Sequence, residues 1–189
     1  MVIIYSKMMA LCEPFFIAKN GVFLYNIIVM NERKLKVYLD TSVVSYLQQE
    51  DALDRMADTL KLWKKFKAGC YDIYLSSMTT LEVNRCNASK LSFLNSKLSE
   101  INYTEIKIGD NELNLAREII SMGILTEKSF DDCQHIAVAV LSECDIIVSW
   151  NFKHLVNIKT IQGVRKITQL KGYKDIEIMN PTTLLEMEV

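Results

Sequence analysis

Residues 129–151 read SFDDCQHIAVAVLSECDIIVSWN, and the fold turns on how this stretch is read. Ser129 to Leu141 has the length and composition of a helix. Ile136, Ala137, Val138, Ala139, Val140 and Leu141 follow one another, so it is apolar on most sides and belongs at the centre of a domain. Asp145 to Ser149 then reads as a short buried strand. It ends in the polar step Ser149-Trp150-Asn151.

The same alternation extends in both directions. Upstream, KVYL at 36–39 reads as a strand ending in Asp40, with Thr41 and Ser42 able to cap a following helix that carries Val43, Val44, Tyr46 and Leu47. The spacing of Leu53, Met56, Ala57, Leu60, Trp63 and Phe66 predicts an amphipathic helix over 51–68 that is core or partner surface, and Gly69 suits its end. A strand is predicted at 72–76, a helix over 79–86 with Glu82 between Leu81 and Val83, and a polar helix over 88–99. A strand at 103–108 and a helix over 111–122 lead into the central helix. Downstream, a short helix at 152–156, a helix at 161–170 and a last strand at 176–179 are expected. Strands alternating with helices imply βαβ units and a parallel sheet of about four to five strands with helices on both faces. Ligands of such sheets sit beyond the carboxyl ends of the strands.

Composition narrows the classes. A chain of 189 residues, half of them hydrophobic, is long enough for one domain with a proper core. Six glycines and two prolines leave little room for linkers. A net charge of −1 provides no global attraction for a polyanion, so nucleic acid would need a local patch or a metal. The five cysteines, Cys12, Cys70, Cys86, Cys133 and Cys144, contain no CxxC pair; buried thiols in a reducing cytoplasm are expected rather than disulfides or zinc. Residues 1–29 are apolar but interrupted at Lys19, Asn20 and Gly21, which argues against a membrane span or a secretory signal. Met30 opens a polar lead into the first strand, so 1–29 is read as an N-terminal extension and 30–189 as the domain.

Asp40, Glu82 and Asp132, widely separated in sequence, are the acids that an α/β fold would bring to one edge. Asp132 precedes Ile136 and Ala139 by four and seven residues and shares their inward stripe, whereas Asp131 reads as a surface cap. Asn151 can cap the short helix expected at 152–156, yet its amide oxygen also suits a hard cation. Oxygen donors of this kind favour Mg2+ or Mn2+ over zinc. His135, three residues after Asp132, makes only a weak transition-metal pair. Cys133 beside it diverges in direction and is a weaker nucleophile still. Lys153 and His154 come after Asn151 and are candidates for touching phosphate, as are Lys61, Lys64, Lys65, Lys67, Arg165 and Lys166.

The order and spacing of YLDTSVV, TTLEV, DDCQHIAVA and IIVSWNF resemble the PIN domain, the family of metal-dependent ribonucleases that includes the VapC-type toxins. The likeness covers about residues 35–180. It implies a doubly wound sheet with Asp40, Glu82 and Asp132 as catalytic residues holding Mg2+ or Mn2+, supported by Ser42 and Ser149. Asn151 stands where many members carry a fourth aspartate, so one ion is held well and a second weakly or only with RNA phosphate. The implied activity is endoribonucleolytic hydrolysis of single-stranded RNA by the toxin of a toxin–antitoxin pair. An antitoxin partner and a homodimer come with the resemblance. A catalytically weak nucleic-acid-binding or scaffold protein is the alternative, and a small-molecule phosphatase a third reading.

Overall fold

The computed structural model describes residues 33–187. The extension at 1–29 and the start at Met30 lie outside them. Five strands, β1 (Lys36–Leu39), β2 (Asp72–Ser76), β3 (Tyr103–Ile106), β4 (Ile146–Val148) and β5 (Glu177–Met179), form one sheet. Its order is β3-β2-β1-β4-β5 and every pairing is parallel.

The strands sort their side chains by alternation. Val37, Leu39, Ile73, Leu75, Ile146 and Val148 face one way. Tyr38, Ile147 and Ile178 face the other. The first face is covered by α1 (Thr41–Ser45), α2 (Leu53–Lys67), α3 (Ser77–Val83), α4 (Ala88–Leu98) and α8 (Pro181–Glu186). The second is covered by α5 (Asp110–Ser121), α6 (Phe130–Leu141) and α7 (Ile158–Lys171). α6 is buried from Cys133 through Val140, as befits a helix apolar nearly all round.

From β1 the chain moves outward to β2 and β3, then crosses to the other side of β1 to lay down β4 and β5. The change of direction brings a change of face, because a right-handed crossover run the other way places its helix on the opposite side. β1 and β4 are thus neighbours across the switch point, where a crevice opens beyond the strand ends.

Some expected elements differ. Residues 152–156 form turns rather than a helix: Leu155 and Val156 both donate their backbone N–H to the Asn151 carbonyl, which closes the chain into a loop. α7 therefore begins earlier than residue 161, capped by the Asn157 side chain accepting from Thr160 N at 3.0 Å. α3 starts at Ser77 rather than at residue 79, because Ser76 occupies its cap and accepts from Thr79 N. α8 has no counterpart among the expected elements; Asn180 caps it and Pro181 starts it. In α2 the packed stripe is Thr59, Leu62, Trp63 and Phe66, so Trp63 and Phe66 are core while Leu53 is exposed. Leu81 is exposed too, since α3 buries Met78, Thr79 and Val83 and position 81 falls on the other side.

Candidate functional site

Asp40 is the first residue beyond β1, and Ser149, Trp150 and Asn151 the first beyond β4. Because those strands pair, with Leu39 opposite Val148, their exits are adjacent. Asp40 occupies the N-cap position of α1 yet makes no side-chain cap hydrogen bond. Its carboxylate turns inward instead, and the residue is only 5% exposed.

Two serines hold it. Ser42 Oγ donates to Asp40 Oδ2, and Ser149 Oγ donates to the same oxygen at 2.6 Å. Each serine in turn accepts a backbone N–H from the β4 exit, Trp150 N to Ser42 Oγ and Asn151 N to Ser149 Oγ, both at 2.9 Å. Two short relays thus run from the β4 exit onto one carboxylate oxygen. The other, Oδ1, faces His135 Nε2 at 3.7 Å.

Glu82 projects from α3 toward the same nitrogen, with Oε2 at 3.4 Å from His135 Nε2, and accepts a short hydrogen bond from Thr41 Oγ1. Asp132, in the first turn of α6, is fastened from the opposite side: Asn151 Nδ2 donates to its Oδ1 at 2.7 Å. The Asn151 oxygen accepts from His154 N at 3.0 Å, so both ends of the amide are engaged and its orientation is set. Asp131 is exposed, with Oδ1 accepting from Gln134 Nε2 at 3.2 Å. Lys153 is exposed. His154 is half-buried with Nδ1 3.1 Å from Ser129 Oγ. Of the more distant cations, Lys61, Lys67 and Arg165 are ion-paired to Asp58, Glu100 and Glu177.

At the centre stands His135, which the sequence presented only as a weak partner of Asp132. It is 2% exposed, and Nδ1 lies 2.6 Å from the Tyr38 hydroxyl, which donates to Ser76 Oγ at 2.8 Å. Burial pushes its pKa down, but the hydrogen bond to Glu82 and the charges of Asp40, Glu82 and Asp132 outweigh this and raise it. An imidazolium uses both ring hydrogens here, one on the tyrosine oxygen and one toward the carboxylates. For Glu82 burial raises the pKa, and the hydrogen bonds from His135 and Thr41 bring it below its ordinary value. Asp132 is raised, because burial there exceeds the opposing pull of His154. The signal for His135 was its spacing: three residues from Asp132 places it on the same helix face. Tyr38 had no such signal, since a tyrosine inside a strand reads as core.

Two carboxylates thus approach one buried histidine, and the charge of a third, Asp132, also acts on it. Their donors are hard oxygens, which fit Mg2+ or Mn2+ in kind. Among the described residues no three His, Cys, Asp or Glu side chains are grouped as a ready cation site. Burial pushes the Cys133 and Cys144 thiols up to about 12, which keeps both protonated.

No family model and no curated protein matches the chain. Among solved structures, it is similar to a chain of the VapBC2 complex from Rickettsia felis bound to a DNA fragment from their promoter. The two share 15% identity over 77% of this chain and 98% of that chain, with a TM-score of 0.48. No helix of the described residues is long and apolar enough to cross a membrane.

Proposed function

We propose that this is a PIN-like, Mg2+- or Mn2+-dependent endoribonuclease acting on single-stranded RNA, the toxin of a toxin–antitoxin pair in the cytoplasm. One observation carries the proposal. Asp40, Glu82 and Asp132 approach the buried His135 at the switch point of the sheet. The antitoxin partner and the homodimer rest on the motif resemblance alone.

In this reading Asp40, Glu82 and Asp132 hold the ion, which, when bound, acidifies a water and polarises the phosphodiester. The chain's own work is to keep those oxygens in place. Ser42 and Ser149 fix Asp40, Thr41 fixes Glu82, and Asn151 fixes Asp132. When protonated, His135 would offset the mutual repulsion of the acids. Lys153, exposed within the turn after Asn151, would meet backbone phosphate.

The test is incubation of the purified chain with single-stranded RNA and Mn2+, beside Asp40→Asn and a chelator control. The proposal expects cleavage that both the substitution and the chelator abolish; cleavage indifferent to either defeats it. A second reading, a nucleic-acid-binding or scaffold protein with little catalysis, is favoured by Asn151, whose amide is spent on Asp132 and His154 N. RNA binding without cleavage would select it.

A further inference from the structure

Beside the acids lies a second cluster that the proposed chemistry leaves unused. Trp150 and Phe152 flank Asn151, and Tyr46 opens the turn after α1. The rings form a row: Tyr46 to Trp150 at 5.7 Å and 34°, Trp150 to Phe152 at 6.1 Å and 51°. The Arg55 guanidinium, from α2, stands over all three, at 5.9 Å from Tyr46, 5.7 Å from Trp150 and 5.1 Å from Phe152. It also donates to the Tyr46 hydroxyl at 3.1 Å.

The members differ in what the fold asks of them. Trp150 is structural: it is buried, and Nε1 donates to Thr59 Oγ1 at 2.8 Å, which itself donates to the Arg55 carbonyl at 2.7 Å. Phe152 is 41% exposed, so a large part of its ring packs on nothing. Arg55 is exposed as well. Lys61, Lys67, Arg165 and Lys171 each stand on a carboxylate, but among the described residues no carboxylate pairs with Arg55. It makes no ion pair of its own among the described residues, and it belongs to a cluster tied to acids that would otherwise repel a polyanion.

An exposed aromatic ring with a guanidinium plane across it is the arrangement that holds unpaired bases. The cluster is tied directly to the acids, since Trp150 N donates to the same Ser42 Oγ that donates to Asp40. The geometry points to Arg55 and Phe152, backed by Tyr46 and Trp150, as a stacking platform for the unpaired base next to the phosphate held at the acids. This rests on the nuclease reading and deepens it. A duplex does not present a free base face, so the platform selects single strands.

Binding is measured on the full chain with chelator present, so that nothing is cut. The probes are a fluorescent single-stranded oligoribonucleotide and the same strand made of abasic residues. Wild type is expected to prefer the base-bearing strand about tenfold, and Phe152→Ala to remove most of that preference. Arg55→Ala, on the exposed side of α2, is the second variant and should weaken binding of the base-bearing strand more than of the abasic one. Circular dichroism checks that both are folded. A preference retained in full by both folded variants overturns the platform, as does a wild type indifferent to bases, the behaviour expected of a face made for a protein partner. Cleavage of the same strand with Mn2+ is read alongside. Cleavage without base preference sinks the platform alone, whereas absence of both cleavage and binding sinks the nuclease reading with it.

Discussion

Asn151 is the residue that best tests the proposed metal chemistry. Among the described residues its amide is the only side chain that donates a hydrogen bond to Asp132, and it does so at 2.7 Å. In Asn151→Asp that hydrogen bond becomes a contact between two carboxylates. Without metal the variant should lose about 2 kcal/mol, the cost of a half-buried charged group left without its donor. In the proposed reading Mn2+ should restore that stability and more, because the new acid would add a carboxylate to those of Asp40, Glu82 and Asp132. Thermal unfolding with chelator and with Mn2+ checks both halves; equal responses of wild type and variant would show that position 151 does not face the ion. His135 teaches a related lesson. A lone histidine on an apolar helix is most often core, and this one is buried, but its Nε2 faces the carboxylates of Asp40 and Glu82 while Nδ1 meets the Tyr38 hydroxyl.

At the scale of elements, one helix contact and one strand entry can be tested. Gly163 lies in α7, where a Cβ would meet Ile124 Cγ2 at 2.6 Å and Cγ1 at 2.8 Å. Ile124 is itself buried and cannot swing aside. Gly163→Ala gains about 1 kcal/mol of helix propensity, but overpacking of this kind costs about 1 to 3 kcal/mol. A net loss of about 1 kcal/mol is expected in denaturant titration. The entry to β4 is clamped by Asp145, which accepts from Lys36 N at 2.8 Å, from Arg33 at 2.7 Å and from Lys174. Burial raises its pKa, but Lys174, the Lys36 N–H and Arg33 outweigh that and leave it below its ordinary value of 3.8. A depressed carboxyl stabilises above its unfolded pKa, and that stability is lost as pH falls through the folded value. Asp145→Asn should therefore cost about 2 kcal/mol at neutral pH, with wild type and variant converging in acid. A gap that persisted at low pH would mean that the charge is not what the clamp uses.

On the scale of the whole molecule, two cores share one sheet. Val148 and Ile147 are consecutive in β4 and fully buried on opposite faces. Such a sheet cannot lose one face and keep the other, so unfolding should be a single transition. Ile147→Ala, on the face of α5, α6 and α7, should cost about 3 kcal/mol. The whole loss should be reported by Trp63, which is buried on the other face. Separate transitions seen by tryptophan fluorescence and circular dichroism would contradict a shared core. The near-neutral net charge provides no overall field for a polyanion, so in the proposed reading attraction would rest on local cations such as Arg55 and Lys153.

By itself the sequence determined the alternation of strands and helices, the central place of α6 and the acids at its first turn, at the β1 exit and on α3. These are local properties: runs of β-branched residues, helical periodicity, and short polar residues closing apolar segments. Even so, residues 152–156 misled, because apolar spacing looks the same whether a backbone winds on or is drawn back onto Asn151. Only the tertiary structure decided the strand order, since a βαβ unit is satisfied on either side of β1. That order made neighbours of β1 and β4, and so of Asp40 and Ser149, 109 residues apart in sequence. It also placed a buried histidine among three carboxylates and laid Arg55 across Tyr46, Trp150 and Phe152. Both clusters join residues from different crossovers, and no spacing along a single helix or strand encodes how crossovers meet.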